Sequence, residues 1–353
     1  MKIPVLTILI PTYNRSKRLA KNLGCLYELI LKGKLCNEVG ILVSDNNSSD
    51  DTYEVCHKYS QKFVDSNISF SCSRNKANLG FSWNVIEGYF KVESEYTLFL
   101  SDDDNLSSGF LSQLLSDIDE YKFSVGIYNF IQPPFDENNL LIKTTNLNQG
   151  QQAVEGLSYL IKWPKFSGIV LRNNREFGRR EKLKSLIAQN NVVGHVLLAM
   201  DQIMFDPKLL ISSTVAAHPD EDFRDHVNFV NYIGNYVKRD ISAYCEHIGI
   251  QNEFLKSSIE EIPTRNVVLN SLQTLSLFYK SKMKLNKNMK REVFDNIFRY
   301  LMGQQKSSTG LFLEKPFKFL PRGKVGVYLC YLAILAFKAK TSAKKLYLMD
   351  DVF

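Results

Sequence analysis

Three carboxylates in a row, Asp102-Asp103-Asp104, follow the apolar run Tyr96-Thr-Leu-Phe-Leu100. Adjacent negative charges repel, so a chain that sets them where a buried strand ends needs positive charge there. A hard divalent cation bridging two phosphates meets that need. Mg²⁺ asks for one or two protein carboxylates and takes its other ligands from water and phosphate oxygens. The competing reading is a solvated Asp-rich turn that caps a helix starting at Ser107.

Two further polar clusters carry chemistry of a related kind. Asp45-Asn46-Asn47 can accept hydrogen bonds from a nucleobase or ribose, although Asx-rich turns also form for local reasons. In Arg74-Asn-Lys-Ala-Asn-Leu-Gly80, Gly80 can open a helix whose first amides favour an anion, with Arg74 and Lys76 adding positive charge. Among the five histidines, His57 falls in a helical stripe and reads as structural. His195 stands at a helix start, where packing is the default role. His218 and His226 flank an acidic stretch, and His247 has no chemical context. There is no G-x-S-x-G elbow, no Walker A loop and no H-E-x-x-H. The six cysteines (25, 36, 56, 72, 245, 330) form no C-x-x-C pair and have no zinc spacing. Scattered thiols fit a reducing, cytosolic setting.

The elements that must position these clusters alternate over the first 130 residues. Apolar, β-rich runs at Val5–Ile10, Val39–Ser44, Ile68–Cys72, Tyr96–Leu100 and Phe123–Phe130 alternate with segments of helical spacing. A helix capped by Ser16 carries one stripe of Leu19, Leu23, Leu26 and Ile30. Asp50–Phe63, Gly80–Phe90 and Ser107–Tyr121 read as three more. The class is therefore α/β, a mostly parallel sheet flanked by helices. Such sheets bind ligands beyond the carboxyl ends of their strands, and all three polar clusters fall there. A loop-like stretch at 132–151 follows, then a strand at Ser167–Leu171, a helix at Val192–Met204 and a strand at Leu209–Val215. Beyond Phe223 the chain reads as helical.

At 353 residues, with 44% hydrophobic and 23% charged content, the chain is long enough for two globular domains. We expect a domain at 1–222, with a nucleotide-binding half 1–130 and an acceptor half 131–222. A helical region would fill 223–353. The apolar N-terminal run stops at Pro11 and reads as a strand, not a signal peptide. The net charge of +7 is concentrated near the other end, where eight Lys/Arg between Leu311 and Lys345 face one acid, Glu314. They flank Val325–Phe337, a run too short to span a bilayer. A basic amphipathic tail at 311–346 would therefore lie on an anionic membrane surface. No signal points to nucleic acid.

In their order, "TILIPTYNRSKRL", "ILVSDNNSSDDT", "NLGFSWN" and "LFLSDDD" resemble the motifs of family 2 glycosyltransferases with the GT-A (Rossmann-like) fold. The resemblance covers residues 3 to 130 well and 165 to 220 loosely. The Ser-Asp-Asp-Asp, Ser-Gly-Ile-Val-Leu-Arg and Gly-His elements look closest to the O-antigen and capsule branch, the abequosyltransferase-like enzymes. It implies a nucleotide-sugar donor, UDP-linked by default, and a saccharide or polyprenyl-linked acceptor at the inner face of the cell membrane. It further implies that Pro11, Thr12, Tyr13, Arg15, Asp45, Asn78, Gly80, Asp102 and Asp103 line the donor pocket. Asp104, with Asp102 close by, would hold Mg²⁺ or Mn²⁺. An inverting transfer needs a base to take the acceptor proton. The Glu-Asp pair many relatives use is missing from the helix start at Gly194-His195. His195 is therefore the first candidate, with Glu221 and Asp222, which follow the next strand, behind it. A homo-oligomer through the C-terminal helices is a further expectation.

Two other readings remain. A sugar nucleotidyltransferase would want a Gly-rich basic loop after the first strand, and "PTYNRSKRL" holds no glycine. A non-catalytic nucleotide-sugar-binding or scaffold subunit of a polysaccharide assembly complex would have little use for an intact Asp triplet.

Overall fold

The computed structural model describes residues 2–131, 140–162, 165–173, 178–186 and 194–220. All of them belong to one of the two compact units into which the chain divides. The expected boundary at 222/223, the helical region beyond it and the basic tail lie outside the described residues.

In chain order the elements are β1 (Leu6–Thr12), α1 (Ser16–Gly33), β2 (Val39–Asp45), α2 (Thr52–Asp65), β3 (Phe70–Arg74) and α3 (Phe81–Tyr89). Then come β4 (Tyr96–Phe99), β5 (Asp104–Leu106), α4 (Phe110–Tyr121), β6 (Val125–Phe130), β7 (Asn146–Gln149) and α5 (Gln151–Gly156). The series ends with α6 (Ser158–Lys162), β8 (Ile169–Arg172), α7 (Arg179–Leu186), α8 (Gly194–Phe205) and β9 (Lys208–Pro219).

The strands form one sheet in the order β3-β2-β1-β4-β8-β6-β9-β5, with β7 also on β9. β1 to β4 pair in parallel. β8 is antiparallel to both β4 and β6, which returns β6 and its parallel partner β9 to the direction of β1. β5 and β7 oppose β9. Among the described residues, six of nine strands thus share one direction, and the sheet is mixed on its acceptor side. β1, β2, β4 and β6 are buried along their whole length, as expected of strands covered on both faces. The α1 stripe Leu19, Leu23, Leu26 and Ile30 is buried on them.

The structure differs from the sequence expectation at three points, two of which have a cause in strand pairing. The helix expected from Ser107 begins at Phe110, because Asp104–Leu106 pairs with Pro219, His218 and Ala217 of β9 as a short strand. The Ser107 N–H then donates to the Ala216 carbonyl at 2.8 Å. A strand, β7, forms inside the stretch read as a loop: its Asn-Leu-Asn-Gln sequence has little β-propensity, but backbone pairing with Leu209–Ile211 supplies what propensity lacks. His57 is exposed on α2 and belongs to no buried stripe.

Candidate active site

Pairing register brings the distant clusters together. Thr12 of β1 pairs with Asp45 of β2, and Asp45 pairs with Arg74 of β3, so three strand ends stand level. The β4 chain ends beside them and turns through the triplet. The carboxyl end of β9 arrives from the other side, where the Asp220 N–H donates to the Asp103 carbonyl at 2.9 Å.

Every carboxylate of the triplet is held. Asp102, 2% exposed, accepts from Thr12 Oγ1 at 2.7 Å and from Arg15 Nη1 at 2.8 Å, which occupies both of its oxygens. Asp103 accepts from Ser101 Oγ at 2.5 Å on one oxygen, and from Arg15 at 3.3 Å and Arg18 at 3.2 Å on the other. Asp104 accepts from Ser167 Oγ at 2.5 Å on Oδ2, while its backbone carbonyl accepts from Asn22 Nδ2 of α1 at 2.6 Å. Among the described residues no hydrogen bond reaches Asp104 Oδ1. Burial raises the Asp102 carboxyl, opposed by Arg15 and Thr12. Burial, with Asp103 beside it, pushes Asp104 up to about 7. Burial likewise lowers the Lys165 ammonium to about 8, against the pull of Asp104 and Asp103. Lys21 pairs with Asp220 at 2.7 Å.

The nucleotide side is built as tightly. Asp45, 1% exposed, accepts from the Ser48 N–H at 2.9 Å and the Ser48 hydroxyl at 2.5 Å on Oδ1. Its Oδ2 is buried, lies 3.5 Å from Arg74 Nε and takes no hydrogen bond among the described residues. Arg74 is anchored on the Ser48 carbonyl at 2.7 Å. Asn78 accepts from Asn46 Nδ2 at 2.7 Å and from the Gly80 N–H at 2.9 Å. Gly80 precedes α3 with φ +79°, a conformation that favours glycine. Pro11 is buried in β1, and Tyr13 stands 42% exposed at the strand end.

His195 opens α8 and is 2% exposed, with its ring 5.3 Å from that of Phe166 and 6.4 Å from that of Phe81. Two aromatic rings thus flank it. Glu221 and Asp222 lie outside the described residues, as do His226 and His247. His218 pairs with Asn105 in β9 and is exposed.

Sequence reasoning missed several members. Arg18, Lys21, Lys165, Ser167 and Asp220 close around the triplet; Arg18 and Ser167 stand inside quoted motifs, but nothing there marks them as partners of an acid, and the other three stand in none. Ser44, Asn46, Asn75 and Asn84 form a buried amide network that joins β2 to α3. Within it Asn84 Oδ1 accepts from Ser44 Oγ and Asn75 Nδ2, each at 2.8 Å, and Asn46 Oδ1 accepts from the Leu79 N–H at 2.9 Å. Buried Asn at three points of a polar rim was the available signal.

The residues present can hold a divalent cation, but not by themselves. Among the described residues no group of three or more His, Cys, Asp and Glu could hold a metal ion. A cation carried in on a diphosphate needs less than that. Asp104, half-buried and with no hydrogen bond to Oδ1 among the described residues, fits a single-point protein ligand.

Residues 7–176 match the model of glycosyl transferase family 2. This segment belongs to that family. Over 118 residues the chain is 33% identical to the GalNAc(5)-diNAcBac-PP-undecaprenol beta-1,3-glucosyltransferase of Campylobacter jejuni, covering 33% of this chain. The match spans 36% of that relative's length, about a third. Among solved structures, residues 1–349 of S. aureus TarS in complex with UDP-GlcNAc superpose with a TM-score of 0.51 at 15% identity, over 86% of this chain and 81% of that one. Mannosyltransferase PcManGT from Pyrobaculum calidifontis, in complex with GDP-Man and Mn²⁺, gives a TM-score of 0.52 at 13% identity, over 98% and 87% of the two chains. At these identities the two structures speak for the fold of the family 2 domain alone.

Proposed function

We propose that the chain is an inverting, Mg²⁺- or Mn²⁺-dependent glycosyltransferase. It would move a sugar from a nucleotide-sugar donor to a lipid-linked saccharide in bacterial surface polysaccharide synthesis. The observation that carries this reading is the rim itself. A buried, unsaturated Asp45 Oδ2 stands level with Thr12 and Arg74, next to an acidic turn that keeps one carboxylate oxygen open. Buried carboxylate oxygens are expensive to leave without a donor, so Asp45 Oδ2 calls for an N–H from outside the protein, as a nucleobase offers. Arg74, at 3.5 Å, can donate to a carbonyl oxygen of the same base. The Campylobacter relative is named for a undecaprenol-linked acceptor, which supports the lipid-linked class.

When bound, the divalent cation would neutralise charge that builds on the leaving diphosphate. The chain's own residues do the rest. Asp45 and Arg74 orient the base. Thr12 and Arg15 fix Asp102 so that it stays in place without a ligand. Arg15, 38% exposed while paired with Asp102, could turn to a donor phosphate. For the base that takes the acceptor proton, His195 stands at the first turn of α8, packed on Phe166. Glu221 and Asp222 follow directly on Asp220, which is bonded to the triplet. Single-turnover rates of His195→Ala, Glu221→Gln and Asp222→Asn separate them.

No helix among the described residues is long and apolar enough to cross a membrane. Placement on the inner membrane face is proposed from the basic tail at 311–346, and a variant ending at Arg322 should lose co-sedimentation with anionic liposomes.

The deciding experiment is a donor panel of UDP-, GDP-, CDP- and TDP-sugars scored by thermal shift and slow donor hydrolysis, with Mn²⁺ and with EDTA. One donor class should stabilise the protein with Mn²⁺ and be hydrolysed only then. Binding that ignores EDTA, with no turnover, would favour the scaffold reading.

A further inference from the structure

Four consecutive residues before β8 meet the acidic turn or the strand that carries it. Lys165 has its ammonium 4.8 Å from the centre of the Phe130 ring and within the field of Asp104 and Asp103. Phe166 packs its ring 5.2 Å from Phe99 and 5.3 Å from both Phe81 and His195. Gly168 donates its N–H to the Phe99 carbonyl at 3.2 Å with φ +93°. A Cβ there would lie 3.0 Å from that of Ala216, so the segment is pinned in the one conformation glycine permits.

Between them stands Ser167, 2% exposed. Its hydroxyl donates its one hydrogen to Asp104 Oδ2 at 2.5 Å and accepts from the Ser101 N–H at 2.9 Å. A hydroxyl has one donor and two acceptor sites, so both bonds are made in a single orientation. One side chain of the acceptor half thus ties the first and last residues of the turn Ser101–Asp104. We propose that Ser167 is a positioning residue of the cation site: it holds the Asp104 carboxylate by Oδ2 so that Oδ1 is the oxygen presented to the divalent cation. The proposal rests on the cation-dependent reading above. It adds that the cation ligand is aimed by a residue of β8's approach, far from the triplet in sequence, and not by the nucleotide half alone.

A group that orients a metal ligand through a hydrogen bond commonly changes metal affinity by 10- to 100-fold when removed. A hydroxyl that merely satisfies buried polar groups would change stability and leave affinity alone. The test is Mn²⁺ binding to the full chain, read from the free-ion electron paramagnetic resonance signal. It is run with whichever of UDP, GDP, CDP and TDP the wild type retains. Ser167→Ala should weaken Mn²⁺ binding by about 10-fold or more. Ser167→Thr keeps the oxygen, and its methyl has a cavity of about 20 Å³ alongside, lined by Tyr128, Leu160 and Lys165. It should bind Mn²⁺ within about fivefold of wild type, below the range expected for a lost orienting bond. Asp104→Asn serves as the reference and should lose the Mn²⁺ response. If Ser167→Ala binds Mn²⁺ as wild type does while Asp104→Asn does not, Ser167 has no positioning role and the inference fails alone. If Asp104→Asn also binds normally, the cation reading falls and takes the inference with it. Should Ser167→Ala fail to fold, the threonine variant decides, and a folded threonine protein that has lost Mn²⁺ binding overturns the proposal.

Discussion

Asp104→Asn should make the metal-free protein more stable at pH 8 while removing its response to Mn²⁺. Burial and the neighbouring Asp103 raise the Asp104 carboxyl from its ordinary 3.8 to about 7. With the folded value above the unfolded one, the folded state binds the proton more tightly between those two pH values. Stability from this group is therefore full below about pH 4, falls as pH rises toward 7, and stays at its minimum above that. A displacement of about 3 in pKa, at ~1.36 kcal/mol each, sets a ceiling of ~4 kcal/mol for the cost of an ionised Asp104. Asparagine keeps an oxygen for Ser167 but takes negative charge away from half-buried Lys165, which returns part of that cost. We expect a net gain of about 1–2 kcal/mol, or about 2–8 °C in Tm for a domain of this size. The assay is thermal unfolding of both proteins in EDTA at pH 8 and pH 5. The Asn variant should melt higher at pH 8, and the gap should close by pH 5, where the folded Asp104 is already neutral. A variant that melts no higher than wild type at pH 8, or by the same margin at both pH values, would refute the account of Asp104 as a half-buried, cation-seeking carboxylate.

Two substitutions test the scaffold. Gly88 of α3 lies against β1 and β2, and a Cβ there would meet Leu9 Cδ1 at 2.7 Å and Ser44 Cβ at 3.0 Å. Gly88→Ala should therefore cost about 1–3 kcal/mol in urea unfolding, although alanine is the better helix former by roughly 1 kcal/mol. Asp201→Asn removes the carboxylate to which Arg179, 5% exposed, donates. We expect a loss of about 3 kcal/mol in the same assay, since a guanidinium would be left buried with less compensation.

The nucleotide half was legible because its signals are local. A short apolar run followed by Asx and a helical stripe identifies each β-α unit, and the α1 stripe Leu19, Leu23, Leu26 and Ile30 is buried as its spacing implies. Parallel order then brought Thr12, Asp45 and the triplet to one rim. What was not legible depends on pairing between distant strands. Nothing in Asp104-Asn105-Leu106 marks a strand until Ala217–Pro219 lies beside it. Nothing in Lys165-Phe-Ser-Gly168 marks a partner of Asp104 until β8 inserts between β4 and β6. The amide network of Asn46, Asn75 and Asn84 was equally hidden, because Asn in a turn-rich sequence usually satisfies its own backbone.

The rim also answers what offsets three adjacent carboxylates before any ligand arrives. Asp102, Asp103, Asp104 and Asp220 stand among Arg15, Arg18, Lys21 and Lys165, four acids against four bases. Charge alone therefore does not require a cation to hold the turn together. A diphosphate donor carries roughly −2 and a divalent cation +2, so the pair can enter without upsetting that balance. Which carboxylate meets the cation is then settled by hydrogen bonds. Both oxygens of Asp102 and both of Asp103 are taken by Thr12, Arg15, Arg18 and Ser101. Asp104 has only Oδ2 engaged, and by a neutral hydroxyl. Arg15 is the base best able to turn toward a phosphate. It is 38% exposed and shared between two carboxylates, and Thr12 and Arg18 would continue to hold Asp102 and Asp103 when it leaves. A donor can thus draw on the rim's charge without leaving a buried acid bare.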